Sequence, residues 1–220
     1  MNFDIGQDAT VRSLLSLKLH DWCALGIANR FAWRCSTATV LLPFFRHHVG
    51  RRHLDVGAGT GFYPASARLP ASTRVTLLDL DPDSLRAAQR RLKRGSTQIV
   101  RHDVTVPLPG RVGRSMDSIS LFHLLHCLPG TMADKAEVLG HLKWHLASDG
   151  VLYGATILGD AADHNSLGRR LMAICNRKGI FDNRHDTVKA LELALRKHFA
   201  YVHVRVEGTV GLFEAAHPVA

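Results

Sequence analysis

Residues 53–61, HLDVGAGTG, decide how the rest of the chain is read. A short strand-like run, HLDV, passes through Asp55 and meets glycines at positions 57, 59 and 61. Glycine there permits positive φ and lets a ligand approach the backbone with no Cβ in the way. The dinucleotide fingerprint GxGxxG would carry its third glycine at position 62, where Phe62 stands instead. A tight strand-to-helix turn that binds nothing would use similar glycines, so the loop gains its meaning from the residues downstream.

Beyond the loop the chain alternates short apolar runs with amphipathic ones. Residues 74–78 (RVTLL) read as a second strand, followed by Asp79 and a helix opening near Pro82. Residues 98–101 read as a third strand and 118–122 (SISLF) as a fourth. Residues 135–146 read as a helix with Val138, Leu139, Leu142 and Leu146 on one face and Gly150 closing it. A fifth strand spans 151–158. A helix over 187–199 takes Asp186 as its N-cap, with Val188, Leu191 and Leu195 as its apolar stripe. Strands at 202–207 and 212–215 are too close for a crossover and must pair antiparallel. The pattern predicts an α/β fold: a doubly wound, seven-stranded, mainly parallel sheet with a C-terminal antiparallel hairpin.

The 220 residues are 46% apolar, enough for one core and one domain. The first twenty carry Asp4, Asp8, Arg12 and Lys18 and do not read as a signal peptide. No apolar stretch approaches the roughly 18 residues that span a bilayer. Cys23, Cys35, Cys127 and Cys175 form no CxxC pair, so reduced thiols and a cytoplasmic location are expected. The net charge is +9, with its one basic run at residues 86–94 inside a helical pattern, where a solvated face is expected.

Two carboxylates come after the glycine loop at strand ends. Asp79 lies 22 residues after Gly57, where a carboxylate can accept hydrogen bonds from both ribose hydroxyls. Asp103 succeeds the third strand, where it can accept from an adenine amino group. Aspartate is also common at strand ends and helix starts, but three acidic positions in order on successive strands make coincidence a poor account.

HLDVGAGTG, LLDLDPDSL (77–85), RHDV (101–104), DSISLFHLLHCLPG (117–130) and LASDGVLYGATIL (146–158) resemble the successive motifs of class I S-adenosylmethionine-dependent methyltransferases. The resemblance covers residues 50–158; the first two motifs are specific and the later ones looser. It implies S-adenosylmethionine as cofactor, with Gly57 and Gly59 under its amino-acid part and Asp55 ordering the loop. It further implies Asp79 on the ribose, Leu80 against the adenine, Asp103 and Val104 at the adenine edge, and Phe122 along the methionine portion.

Methyl transfer from a sulfonium needs alignment more than chemistry, and a base only when the acceptor arrives protonated. His123 and His126 come after the fourth strand at the carboxyl edge of the sheet and are the candidate catalytic residues. Either could instead hydrogen-bond in the core, and neighbouring Cys127 is expected to be packed. His141 and His145 are spaced i,i+4, but no third ligand is evident and no metal is expected.

The organisation expected is a helical N-terminal cap over 1–50, a cofactor-binding core over 51–158, a substrate-covering insertion over 159–186, and a last helix with hairpin over 187–220. The insertion is long for a connection and, with Trp33 of the cap, should cover the acceptor. Asn165, Arg169, Asn176, Phe181 and Asn183 are its candidate substrate contacts. The preferred reading is methyl transfer to O, N or S of a small metabolite or natural product. An RNA, DNA or protein methyltransferase is the second reading, motivated by charge. SLFHLL stands where amino-directed nucleic-acid enzymes carry an Asn/Asp-Pro-Pro-aromatic tetrapeptide, which argues against it. A non-catalytic S-adenosylmethionine-binding protein is the third.

Overall fold

The strands β1 (Arg52–Val56), β2 (Arg74–Asp79), β3 (Thr97–Arg101), β4 (Met116–Phe122), β5 (Leu146–Ile157), β6 (Phe199–Glu207) and β7 (Val210–Pro218) form one sheet. Their order is β3-β2-β1-β4-β5-β7-β6. The first five are parallel, while β7 runs antiparallel between β5 and β6. This computed structural model describes residues 22–219, with side chains from residue 26 onward. The expected cap is therefore seen only from residue 22, and the side chains of Trp22 and Cys23 lie outside the described residues.

Helices cover both faces of the sheet. The central strand β4 is apolar on both faces (Ile119 and Leu121 against one layer, Phe122 against the other), as a parallel strand between two helical layers requires. On one face, α5 (Met132–Lys143) and α7 (Val188–Arg196) bring Val138, Leu139, Leu142, Leu191 and Leu195 onto the sheet. The other face takes α2 (Leu42–His48), α3 (Phe62–Ser66) and α4 (Pro82–Leu92). Two further helices, α1 (Trp22–Ala32, of the wide π type) and α6 (Ser166–Arg177), pack on each other above the sheet's carboxyl edge.

Strand order reverses between β1 and β4, since β2 lies outside β1 and β5 outside β4. A crevice opens at such a switch point, and the glycine loop after β1 and the His123 segment after β4 both end there.

Several local expectations shift for identifiable reasons. The α5 helix starts three residues earlier than its apolar stripe predicts, because Thr131 and Asp134 close a capping box. Strand β5 starts at Leu146, where a bulged register pairs it with Met116. Thr187, not Asp186, caps α7: its side chain accepts from Ala190 N, while Asp186 is buried against Lys135 Nζ at 2.7 Å. The basic run 86–94 is a solvated face only in part. Arg94 donates to the carbonyls of Leu69 (2.7 Å) and Thr73 (3.1 Å), and Arg91 to Thr60 O (3.2 Å), so two of its arginines pin α4 to the loops after β1 and α3.

Candidate active site

The glycine loop leaves β1 with φ of +68° at Gly57 and +50° at Gly59. A Cβ on Gly57 would stand 2.9 Å from Leu124 Cδ1, so the loop lies directly against the segment after β4. A Cβ on Gly59 would meet nothing within 4 Å; the open side of the loop is there. Asp79 braces it, accepting from Gly59 N and Asp81 N at 2.9 Å each. Burial raises the Asp79 carboxyl above its ordinary range, and these N–H bonds pull it back. Leu80 beside it is 59% exposed, an unusual state for a leucine next to a core strand. Asp103 is exposed: its Oδ1 accepts from Thr105 N (2.9 Å) and Oγ1 (2.8 Å), bonds that lower its pKa. Val104 is buried in the core beside it. An open glycine floor, a braced carboxylate, an exposed leucine and an exposed aspartate fit a nucleoside-bearing cofactor laid across β1, β2 and β3.

Beneath the loop runs a buried polar chain not anticipated from the sequence. His53 Nδ1 lies 2.8 Å from Ser118 Oγ and its Nε2 3.2 Å from Ser120 Oγ, while Ser120 donates to Asp55 Oδ1 at 2.5 Å. Burial pushes His53 down to about 3 and Asp55 up to about 7. The alternation that marks His53 as a strand residue carries no sign that it faces a serine ladder on β4.

His123 has a φ of +59° and is held by its N–H on Ala155 O at 2.8 Å. Part of the residue reaches the surface, but enclosure of its imidazole pushes the pKa down to about 4. Its Nε2 lies 3.3 Å from the side-chain amide of Asn29 on α1. His126 is 2% exposed, and its Nδ1 accepts the N–H of Ile157 at 3.2 Å. That bond fixes Nδ1 as an acceptor in a neutral ring, and burial holds the pKa well below the ordinary value. Of the two candidate histidines, His126 is thus engaged by the backbone of β5, which corrects the expectation that both stand equally ready as bases. Cys127 is not packed as expected but is exposed. Its thiol turns toward His123 O at 3.7 Å, and burial of the sulfur pushes it up to about 12.

Aromatic and imidazole rings continue the wall. Phe122 packs on Tyr63 with ring centroids 4.3 Å apart. Tyr63 faces His123 at 6.5 Å, His123 faces His126 at 5.7 Å, and His126 meets Phe181 edge-on at 4.6 Å. Phe181 and His164 both contact Trp33, at 6.3 and 5.8 Å. His164 Nε2 donates to the carbonyls of Leu158 and Gly159 (3.2 and 3.0 Å), leaving Nδ1 buried without a partner. Of the expected acceptor contacts, Trp33 and Phe181 thus stand in this wall.

The polar residues of the insertion do other work. Asn165 caps α6 through Gly168 N (2.8 Å) and donates to Phe31 O (2.7 Å). Arg169 is exposed and donates to His164 O. Asn183 is buried: it donates to Ile157 O (2.9 Å) and accepts from Asn176 (3.1 Å), which also donates to Met172 O (3.0 Å). All four tie backbone segments together, a correction to their expected role as substrate contacts. Asn29, Tyr63 and His164 were missed, and only the spacing of Asn29 one turn before Trp33 hinted that α1 turns both toward the crevice. No group of three or more His, Cys, Asp or Glu able to hold a metal occurs among the described residues, and no described helix is long and apolar enough to cross a membrane.

Residues 54–152 match a family described as a methyltransferase domain. The chain is 42% identical to a physcion biosynthesis cluster O-methyltransferase of Aspergillus chevalieri, over 93% of this chain and 92% of that one. It is 40% identical to the N-methyltransferase vrtF of Penicillium aethiopicum, over 84% of this chain and 78% of the relative. Among solved structures, the neocarzinostatin O-methyltransferase NcsB1, crystallised with S-adenosyl-L-homocysteine and 1,4-dihydroxy-2-naphthoic acid, superposes with a TM-score of 0.58 at 19% identity. That superposition covers 97% of this chain and 60% of the longer one.

Proposed function

The chain belongs to the S-adenosylmethionine-dependent methyltransferases, and from that membership we propose that it methylates a hydroxyl oxygen on a flat aromatic natural product. The observation that carries the reading is the wall of Tyr63, His123, His126, Phe181 and Trp33 beginning where Leu124 touches Gly57. An aromatic acceptor laid against such rings gains offset and edge-on contacts that hold it in one plane. The relatives support the class of acceptor, one by its role in physcion biosynthesis and one, more distantly, by its bound dihydroxynaphthoic acid.

In this reading Gly57 and Gly59 floor the cofactor's amino-acid end, Asp79 accepts from the ribose, Leu80 and Val104 flank the adenine, and Asp103 accepts from its edge. Asp55 orders the loop from below and Phe122 lies along the methionine portion. When bound, the sulfonium supplies an activated methyl group. His123 takes the proton of the acceptor hydroxyl as the oxygen–methyl bond forms and the methyl–sulfur bond breaks, its electron pair staying on sulfur. The attacked oxygen becomes strongly acidic as the bond forms, so a neutral imidazole with a depressed pKa suffices. The bound proton then leaves to solvent. His126, Trp33 and Phe181 orient the acceptor and exclude water.

The test is turnover of His123→Asn with labelled donor and a panel of hydroxylated aromatics. Donor affinity should persist while turnover falls about 10²- to 10⁴-fold, the usual cost of losing a general base. Near-wild-type turnover would overturn the assignment. An amino nitrogen is the second reading, favoured by the N-methyltransferase relative; NMR of the product distinguishes O-methyl from N-methyl.

A further inference from the structure

Among the described residues of α1, Asn29 is the one polar side chain that reaches the reacting end. It is 2% exposed, its amide lying 3.3 Å from His123 Nε2 and 2.9 Å from Thr37 Oγ1. Its main-chain carbonyl accepts Cys35 N at 2.7 Å, which fixes the backbone that carries it. We propose that Asn29 is the positioning residue for His123, holding the imidazole in the Nε2–H tautomer so that Nδ1 presents its lone pair to the acceptor. The proposal rests on the reading of His123 as base.

The argument is one of donors and acceptors. A histidine nitrogen and a threonine hydroxyl can each donate or accept, and the two ends of a carboxamide are alike in shape. With the amide nitrogen toward His123, Nε2 must accept, so Nδ1 carries the proton and no basic nitrogen remains free. With the amide oxygen toward the same pair, His123 Nε2–H and the Thr37 hydroxyl both donate to Oδ1, and Nδ1 is free. Only the second arrangement survives protonation: an imidazolium donates from both nitrogens, and its bond to a carbonyl strengthens with the charge. An amide N–H₂ facing that cation would instead oppose it.

The placement also links the base to the roof of the site. Trp33 lies one turn beyond Asn29, and α1 packs on α6, so a shift of this helix pair moves the acceptor wall and the tautomer-setting amide together.

The experiment compares Asn29→Leu and Asn29→Asp with the wild-type chain. Long-range ¹⁵N–¹H spectra of the histidine rings, assigned through His123→Asn, should show Nε2–H at His123 in the wild type and loss of that preference in Asn29→Leu. Donor affinity by calorimetry should be unchanged, with kcat at least about tenfold lower, since a wrong tautomer removes the base from use. Asn29→Asp keeps an acceptor on Nε2–H and adds negative charge. Its turnover should recover and the acid limb of its pH profile should move upward. An Nδ1–H tautomer in the wild type, or an unchanged tautomer in Asn29→Leu, would overturn the proposal. If the tautomer changes while turnover does not, the contact stands but the base reading fails. A merely structural Asn29 would lower stability in both variants alike and would not separate Leu from Asp.

Discussion

Asp79 and the pair His53–Asp55 show how single residues set the cofactor loop. Asp79 spends one lone pair on Gly59 N and one on Asp81 N, which leaves acceptor capacity on both oxygens for ribose hydroxyls. Hydrogen bonds to a charged acceptor are worth about 1.5–3 kcal/mol each, so Asp79→Ala should weaken donor binding by roughly 10²-fold or more in calorimetry. An unchanged affinity would place the ribose elsewhere. Below the loop, Asp55 and His53 act on stability in opposite directions. The folded Asp55 carboxyl, near 7 against an ordinary 3.8, holds a proton that the unfolded chain lacks, so its contribution fades as pH rises between those values. The folded His53, near 3 against 6.5, lacks a proton that the unfolded chain holds, so its contribution fades as pH falls through that window. Each slope approaches about 1.4 kcal/mol per pH unit, and from about pH 4 to 6.5 the two cancel. Urea unfolding across that range should therefore show little slope from this pair in the wild type. Asp55→Asn should lose stability toward acid, and His53→Gln should lose it toward neutrality; two parallel profiles would sink the assignment.

At the level of elements, the insertion is held shut by buried polar bonds. Lys135 on α5 donates to Asp186 Oδ2 (2.7 Å) and Asp182 O (2.6 Å), and Asp182 accepts from Gly130 N (2.8 Å). Removing one partner of a buried pair leaves an uncompensated charge, so Lys135→Met should cost about 3–5 kcal/mol in denaturant unfolding. Adding Asp186→Leu should return part of it. Strand identities and order were legible in the sequence because parallel strands buried on both faces leave continuous apolar runs, and glycine and aspartate mark their ends. The acidic positions of the loop were legible for the same reason, since they sit at fixed distances from strand ends. The roles within the insertion were not. Asn183 and Asn165 look like ligand contacts in sequence, but whether an asparagine faces a cavity or a main-chain carbonyl depends on the path of the loop, which no periodicity records. Likewise Asp186 reads as an N-cap by position and is claimed instead by Lys135, 51 residues away in sequence.

Across the whole molecule, the charge of +9 asks whether a polyanion is the substrate. Its distribution argues otherwise. Arg52 is paired with Asp117 (2.7 Å) and Arg94 is spent on main-chain carbonyls, so the basic residues do not add up to one uncompensated stripe. Where Arg51 and Arg74 do come together, with Arg52, Ser72, Ser96 and Asp117, they line an open cavity of about 650 Å³ at the amino ends of β1 and β2. The glycine loop and His123 lie at the carboxyl ends. A five-residue strand spans about 17 Å, so a chain bound at that cavity would have to wrap the sheet edge to present a base to the methyl group. The acceptor wall itself, from Tyr63 to Trp33, is lined by rings and has no arginine among its members. Binding to mixed-sequence RNA should therefore be a weak surface effect, abolished by about 0.15 M salt, where exposed charges farther apart than about 8 Å no longer act together. Fluorescence anisotropy across a salt series measures it. Tight binding that survives physiological salt and falls along a steep log–log slope would mean several phosphates are engaged at once, and would turn the reading toward a nucleic-acid substrate.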